Sequence, residues 1–84
     1  MYNIVLTNNG EKDLKKLTQE IQKRIIKKLK FFSSQEDPFA FSKPLVDLPP
    51  TTHRFRVGDY RIAFYLLGKT IFVEKIRHRR EVYI

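Results

Sequence analysis

Apolar residues in the first third of the chain recur at the spacing of an α-helix. At steps of three or four come Leu14, Leu17, Ile21, Ile25, Leu29 and Phe32, and lysines fill much of the remaining surface. This stripe predicts an amphipathic helical segment whose apolar face packs on a sheet. Thr18 can cap a new helix, so we expect a break near residues 17–19 and two helices. A basic amphipathic helix could instead lie on a membrane, but so regular an apolar face usually packs on a sheet.

Short segments before and after the helices complete the first half of the chain. Residues 2–6 read as a strand, and Asn8 with Glu11 three residues later has the spacing of a capping box at a helix start. Residues 33–50 contain all four prolines, which remove amide donors, so the sequence predicts a connector without regular structure. Phe39 and Phe41 in this connector can dock on the core.

After Pro50 the pattern changes to a period of two. Strands are predicted over residues 52–57, 60–67 and 70–76, with tight turns at Gly58-Asp59 and Gly68-Lys69. The element order is therefore β-α-α-β-β-β. It predicts one α+β domain over residues 1–84, with a helical hairpin packed on one face of a mainly antiparallel sheet.

Alternation along these strands separates apolar from basic positions. The helices are expected to cover the face that carries Phe55, Tyr60, Ile62 and Phe64. Arg54, Arg56 and Arg61 then converge on the opposite face. The last strand is apolar on both faces, which predicts a central position in the sheet. Its parity, that is, which of its alternate residues face the helices, stays open.

Charge is concentrated near the end of the chain. The 84 residues carry 17 Lys and Arg against nine Asp and Glu, a net charge of +8, and six of the seven arginines follow residue 53. A small basic domain indicates a polyanionic partner, and arginine suits phosphate in particular.

Composition also excludes several classes of protein. Without cysteine the chain cannot form disulfides or Cys-based metal sites, and two histidines make a His-rich metal site improbable. No apolar run reaches the ~20 residues of a membrane span, and the first residues do not resemble a signal peptide. We therefore expect a cytoplasmic protein with no metal, small-molecule cofactor or membrane partner.

The candidate chemistry lies in the same basic region. The candidate residues are Arg54, Arg56 and Arg61 on one face, Arg77, His78, Arg79 and Arg80 at the end of the last strand, and Tyr83 just beyond. Taken alone, an Arg-x-Arg pair is more often an exposed sheet face. In combination with a histidine that titrates near neutral pH, the set fits metal-free RNA cleavage, in which the substrate 2′-hydroxyl is the nucleophile.

Two segments resemble the RelE/ParE superfamily of bacterial and archaeal toxins. They are Arg-Phe-Arg-Val-Gly-Asp-Tyr-Arg-Ile-Ala-Phe-Tyr at 54–65 and Ile-Arg-His-Arg-Arg-Glu-Val-Tyr at 76–83. The resemblance covers essentially the whole chain and implies the same RelE-like fold. RelE-type members are ribosome-dependent mRNA endonucleases that cut in the A site, and a cognate acidic antitoxin silences them. The partners implied here are therefore that antitoxin, the ribosome and mRNA.

The resemblance also implies roles for single residues. Arg61 matches the arginine that holds the scissile phosphate. Arg77 or His78 matches a cationic proton donor, and Tyr83 matches a tyrosine that orients the RNA. Arg54 and Arg56 match positions that bind phosphate or act as general base, and Arg79 and Arg80 extend the phosphate-binding surface. Since arginine stays charged and is a poor general base, His78 is the best candidate for that role, and four neighbouring arginines are expected around it.

Two other functions remain open. The ParE branch shares the fold, poisons DNA gyrase and generally lacks the nuclease residues. A basic RNA- or protein-binding module that has lost nuclease activity is the other alternative. The presence of Arg61, His78 and Tyr83 favours the nuclease.

Overall fold

A computed structural model describes residues 1–81, in which two helices pack on a five-stranded mixed sheet. The strands are β1 (Asn3–Leu6), β2 (Ser42–Pro44), β3 (His53–Val57), β4 (Tyr60–Leu67) and β5 (Thr70–His78). The helices are α1 (Asn8–Lys15) and α2 (Gln19–Ser33), and single 3-10 turns span Pro38–Phe41 and Arg79–Glu81. The sheet order is β1-β5-β4-β3-β2, with β1 parallel to β5 and the other pairs antiparallel. The predicted α+β fold, helical hairpin and central last strand are confirmed.

The helices begin at threonines. Thr18 caps α2 as predicted, its hydroxyl accepting a hydrogen bond from the Ile21 amide at 3.3 Å. At α1 the prediction of Asn8 as the cap is wrong, because Thr7 fills that position and accepts from the Gly10 amide at 3.1 Å. Since Thr7 directly follows the last residue of β1, α1 starts with no connecting turn. Glu11, the other member of the predicted capping box, forms an ion pair with Lys15 at 2.8 Å.

The core lies between the helices and one face of the sheet. Of the predicted stripe, Leu14, Ile25, Leu29 and Phe32 are buried, and Leu17 and Ile21 pack against them partly buried. Three rings stack through the centre, with centroid distances of 4.2 Å for Phe32 to Phe55 and 4.1 Å for Phe55 to Phe64. The predicted division of strand faces is confirmed, and no helix of residues 1–81 covers the other face of the sheet.

The connector has more regular structure than predicted. Ser42, Lys43 and Pro44 form the edge strand β2 on β3, in the register Lys43 to Arg54. Proline is tolerated there because an edge strand needs only part of its amides for pairing. The prolines therefore misled the prediction, which placed no strand in residues 33–50.

A β-bulge at Glu74 resolves the parity of β5. Ala63 pairs with Lys75 and Phe64 with Val73, so Glu74 has no direct partner on β4. The extra residue turns Ile76 to the same buried face as Val73. The strand also runs to His78, two residues beyond the predicted end. The bulge thus decides which residues at the end of β5 point to the helices and which to the open face.

Candidate nucleic-acid interface

Two rows of basic residues cross the sheet on the face without helices. Direct cross-strand pairs place Arg56 opposite Arg61 and Arg61 opposite Arg77. The second row runs Lys43–Arg54–Ala63–Lys75. Like charges directly opposite each other on a sheet are destabilising, so the arrangement favours a face that receives an anion.

A cavity of about 270 Å³ opens at one end of this face. Its lining consists of Ala40, Phe41, Ser42, Lys43, Arg54, Arg56 and Arg61. The 3-10 turn and β2 form one wall, and the arginines of β3 and β4 form the other. The predicted convergence of Arg54, Arg56 and Arg61 on one face is thereby observed.

Arg61 lies at the electrostatic centre of the cavity. Its Nη1 approaches the carbonyl oxygens of Gly58 and Tyr60 at 3.4 and 3.5 Å, which keeps the guanidinium against the β3–β4 turn. Burial lowers the pKa of Arg61, and the charges of Arg56, Arg54 and Arg79 lower it further, with Asp59 acting in the opposite direction. The guanidinium remains charged at neutral pH, so a bound anion would relieve this repulsion.

The cavity arginines lack carboxylate partners in the described part of the chain. Within residues 1–81 the salt bridges involve Lys15, Arg24, Arg77 and Arg79, and none includes Arg54, Arg56 or Arg61. Three guanidinium groups without an ion-pair partner in residues 1–81 thus lie beside one cavity. Guanidinium groups in this arrangement are suited to bind an anion such as phosphate through charge-assisted hydrogen bonds.

Arg77 is held differently. Its guanidinium forms an ion pair with the buried carboxylate of Asp13 on α1, and the same Oδ2 accepts a hydrogen bond from the Ile76 amide at 3.0 Å. Asp13 therefore anchors the outer end of the arginine row to α1, and Arg77 is the one arginine of that row with an internal counter-charge in residues 1–81.

His78 does not join the cavity arginines. It pairs with Tyr60 on the helix side of the sheet, and the two rings meet edge to face at 5.2 Å. Its Nδ1 accepts a hydrogen bond from the Arg80 amide at 3.1 Å. Of the four arginines expected around His78, the prediction is wrong for Arg61, which lies on the opposite face of the sheet. Arg77, Arg79 and Arg80 are neighbours of His78 along the chain.

The remaining predicted residues lie in or beyond the last turn. Arg79 and Arg80 are exposed. Arg79 lies 3.6 Å from a carboxylate oxygen of Asp59, and the charge of Arg79 also lowers the pKa of Arg61. Tyr83 lies outside the described residues, so its role stays a prediction.

Sequence reasoning missed three contributors to this face. Lys43 was overlooked because the neighbouring proline argued against a strand, and Lys75 because its face depends on the bulge. Phe41 packs on the buried Phe32, as expected, but its side chain is also 44% exposed and lines the cavity. Its position at the end of a proline-started turn was the available signal.

Among residues 1–81 no helix is long and apolar enough to span a membrane. In the same residues no three acidic or histidine side chains cluster closely enough to hold a metal ion.

Comparisons with known proteins agree with this fold. The RelBE2 toxin–antitoxin complex of Mycobacterium tuberculosis contains a chain that is 25% identical, with a TM-score of 0.76 and coverage of 93% of this chain and 98% of that one. A RelB–RelE complex from Methanococcus jannaschii contains one that is 28% identical, with a TM-score of 0.67 and 94% coverage of both. The archaeal RelE–RelB complex of Pyrococcus horikoshii shares the fold at 21% identity and a TM-score of 0.73, over 96% of this chain and 98% of that one.

Sequence families give the more specific result. A comparison with curated proteins returned no match. The family model described as "ParE toxin of type II toxin-antitoxin system, parDE" matches residues 4–83, nearly the whole chain. The protein therefore belongs to the ParE toxin family and is a type II toxin of the RelE/ParE superfamily.

Proposed function

We propose that this toxin is a ribosome-dependent endonuclease that cuts mRNA in the A site. The observation that carries the proposal is the cavity in which Arg54, Arg56 and Arg61 meet without a carboxylate partner in residues 1–81. A scissile phosphate bound there supplies the missing counter-charge. Ribosomes and mRNA place the reaction in the cytoplasm.

The arginines would act on the charge of the transition state. Attack of the substrate 2′-oxygen on phosphorus forms one P–O bond as the bond to the 5′-oxygen breaks, giving a 2′,3′-cyclic phosphate and a 5′-hydroxyl. The phosphate gains negative charge on the way, and guanidinium groups already in position stabilise that charge most. Arg61 is the proposed clamp, because the other two arginines flank it.

Proton transfer must come from another group. The 2′-hydroxyl loses a proton and the 5′-oxygen gains one, and permanently charged arginines do neither efficiently. His78 and Tyr83 remain the proposed proton-transfer groups, although His78 would have to act from the opposite side of β5. Cleavage by His78→Gln, followed from about pH 5.5 to 8.5 around the ordinary imidazole pKa, tests this role. An unchanged pH profile removes His78 from the mechanism.

A second candidate is inhibition of DNA gyrase without nuclease activity. The match to the ParE family favours it, as does the lack of a general base among the residues that line the cavity. The two candidates separate in paired assays of the purified toxin, one with ribosomes programmed with mRNA and one with gyrase and relaxed plasmid. Cleavage in the A site with normal supercoiling supports the nuclease, and the reverse result supports the gyrase inhibitor.

The proposed antitoxin should neutralise the basic face. Because opposed arginines repel one another, an acidic partner that covers Arg56 and Arg61 would stabilise the toxin as well as block it. Co-expression with a cognate acidic antitoxin should therefore restore growth. Growth arrest that persists under co-expression would contradict this partnership.

A further inference from the structure

An exposed aromatic ring lies beside the phosphate-binding arginines. Phe41 lines the same cavity as Arg54, Arg56 and Arg61, and its side chain is 44% exposed. Apolar rings of this size are usually removed from water, and exposed aromatic residues next to basic groups are typical of surfaces that bind single-stranded nucleic acid.

The ring is supported from behind. Phe41 contacts Phe31 edge to face at 5.6 Å and Phe32 at 5.7 Å. Phe32 is buried and stacks on Phe55. The turn that carries Phe41 is capped by Asp37, whose carboxylate accepts a hydrogen bond from the Phe39 amide at 3.1 Å. Phe41 is therefore held by the core on one side and free on the other.

We propose that Phe41 is a stacking platform for one base of a single-stranded RNA whose adjacent phosphate binds Arg54, Arg56 and Arg61. This inference rests on the proposed nuclease function for the identity of the ligand. The cavity of about 270 Å³ lies just below the ~300–1,000 Å³ of ordinary small-ligand sites, a size that suits one nucleotide unit. Because every base offers a π face, the platform adds affinity with little sequence preference.

Fluorescence provides a direct test, because the chain contains no tryptophan. Phe41→Trp places a single reporter on the platform. A short single-stranded RNA with 2′-O-methyl groups, which cannot be cleaved, should quench its emission on binding. An abasic oligonucleotide with the same phosphates should bind without comparable quenching. Equal quenching by both, or by an acidic peptide, overturns the proposal, and the peptide result would identify a protein-docking surface instead.

A matched pair of leucine variants gives the energetic test. Phe41→Leu keeps an apolar side chain but removes the π face, and Tyr2→Leu removes a ring at the opposite edge of the sheet that does not line the cavity. Phe41→Leu should weaken binding of the methylated RNA about 5- to 150-fold, the range for loss of one base–aromatic stack, with little change for Tyr2→Leu. Equal affinities for wild type and Phe41→Leu overturn the platform. If Arg61→Ala still weakens binding in that case, the proposed phosphate site stands without it.

Discussion

Removal of the Asp13 carboxylate should destabilise the fold through two interactions of unequal weight. The side chain is buried on α1, and its Oδ2 accepts from the Ile76 amide at 3.0 Å and pairs with Arg77. Strand β1 ends at Leu6, opposite Val73, so within residues 1–81 no strand pairs with this edge of β5 near Ile76. Asp13 therefore completes the hydrogen bonding of β5 in place of a neighbouring strand.

The size of the effect follows from the exposure of each partner. Leaving the Ile76 amide without an acceptor in a buried position costs about 1–3 kcal/mol. The Arg77 side chain is 35% exposed, so its charge stays hydrated and the ion pair adds only about 0–1 kcal/mol. Asp13→Ala should thus lose about 1–4 kcal/mol. Asp13→Asn, which keeps an oxygen acceptor, should lose about 1 kcal/mol or less.

Urea unfolding followed by far-UV circular dichroism measures both variants. The midpoint should fall clearly for Asp13→Ala and slightly for Asp13→Asn, at unchanged m-value. In thermal unfolding each kcal/mol corresponds to about 4–8 °C for a domain of this size. Equal losses for the two variants would mean that Asp13 stabilises the fold through its ion pair with Arg77 and not through its hydrogen bond from the Ile76 amide. No loss for Asp13→Ala would refute the reasoning.

Three further predictions follow from single contacts. Gly10→Ala should cost more than about 1 kcal/mol of unfolding free energy, because its Cβ would lie 2.2 Å from the Val73 carbonyl oxygen; a thermal midpoint equal to wild type would contradict this contact. Hydrogen bonds from Asn9 and Thr7 lower the pKa of Glu74 below its ordinary 4.5, so this carboxylate stabilises the fold above pH 4.5 and the stabilisation is lost as the pH falls through the lowered pKa. The difference in stability between wild type and Glu74→Gln should therefore shrink on acid titration, and a difference that stays constant would contradict this. Arg56→Gln should stabilise the free toxin by about 0.2–1 kcal/mol at low salt by removing an opposed charge, an effect that added salt should reduce; destabilisation at low salt would be the contrary result.

Local patterns determined most of the fold, because helix and strand periods and tight-turn residues are local properties. The stripe from Leu14 to Phe32 and the two glycine turns predicted both helices and the three-stranded meander correctly. The short strand β2 escaped prediction, since its pairing with β3 outweighs the local effect of Pro44.

The candidate site was predictable only where strand alternation is regular. Arg54, Arg56 and Arg61 precede the bulge, so simple parity placed them together. Beyond Glu74 the parity changes by one, which moves His78 to the helix side and Lys75 to the basic face. Nothing local in the sequence marks the bulge. The side-chain contacts of Glu74 are long-range, since its carboxylate accepts hydrogen bonds from Thr7 and Asn9, some 65 residues away.

The central claim is that Arg61 clamps a scissile phosphate, and single-turnover cleavage of mRNA on programmed ribosomes tests it most directly. Arg61→Ala should cut about 10²- to 10³-fold more slowly than wild type. The matched control, Arg24→Ala, removes an exposed arginine of α2 on the opposite side of the sheet and should cut at the wild-type rate. In urea unfolding neither variant should be less stable than wild type by more than about 0.5 kcal/mol. Wild-type cleavage by Arg61→Ala, or an equal loss for Arg24→Ala, would contradict the account.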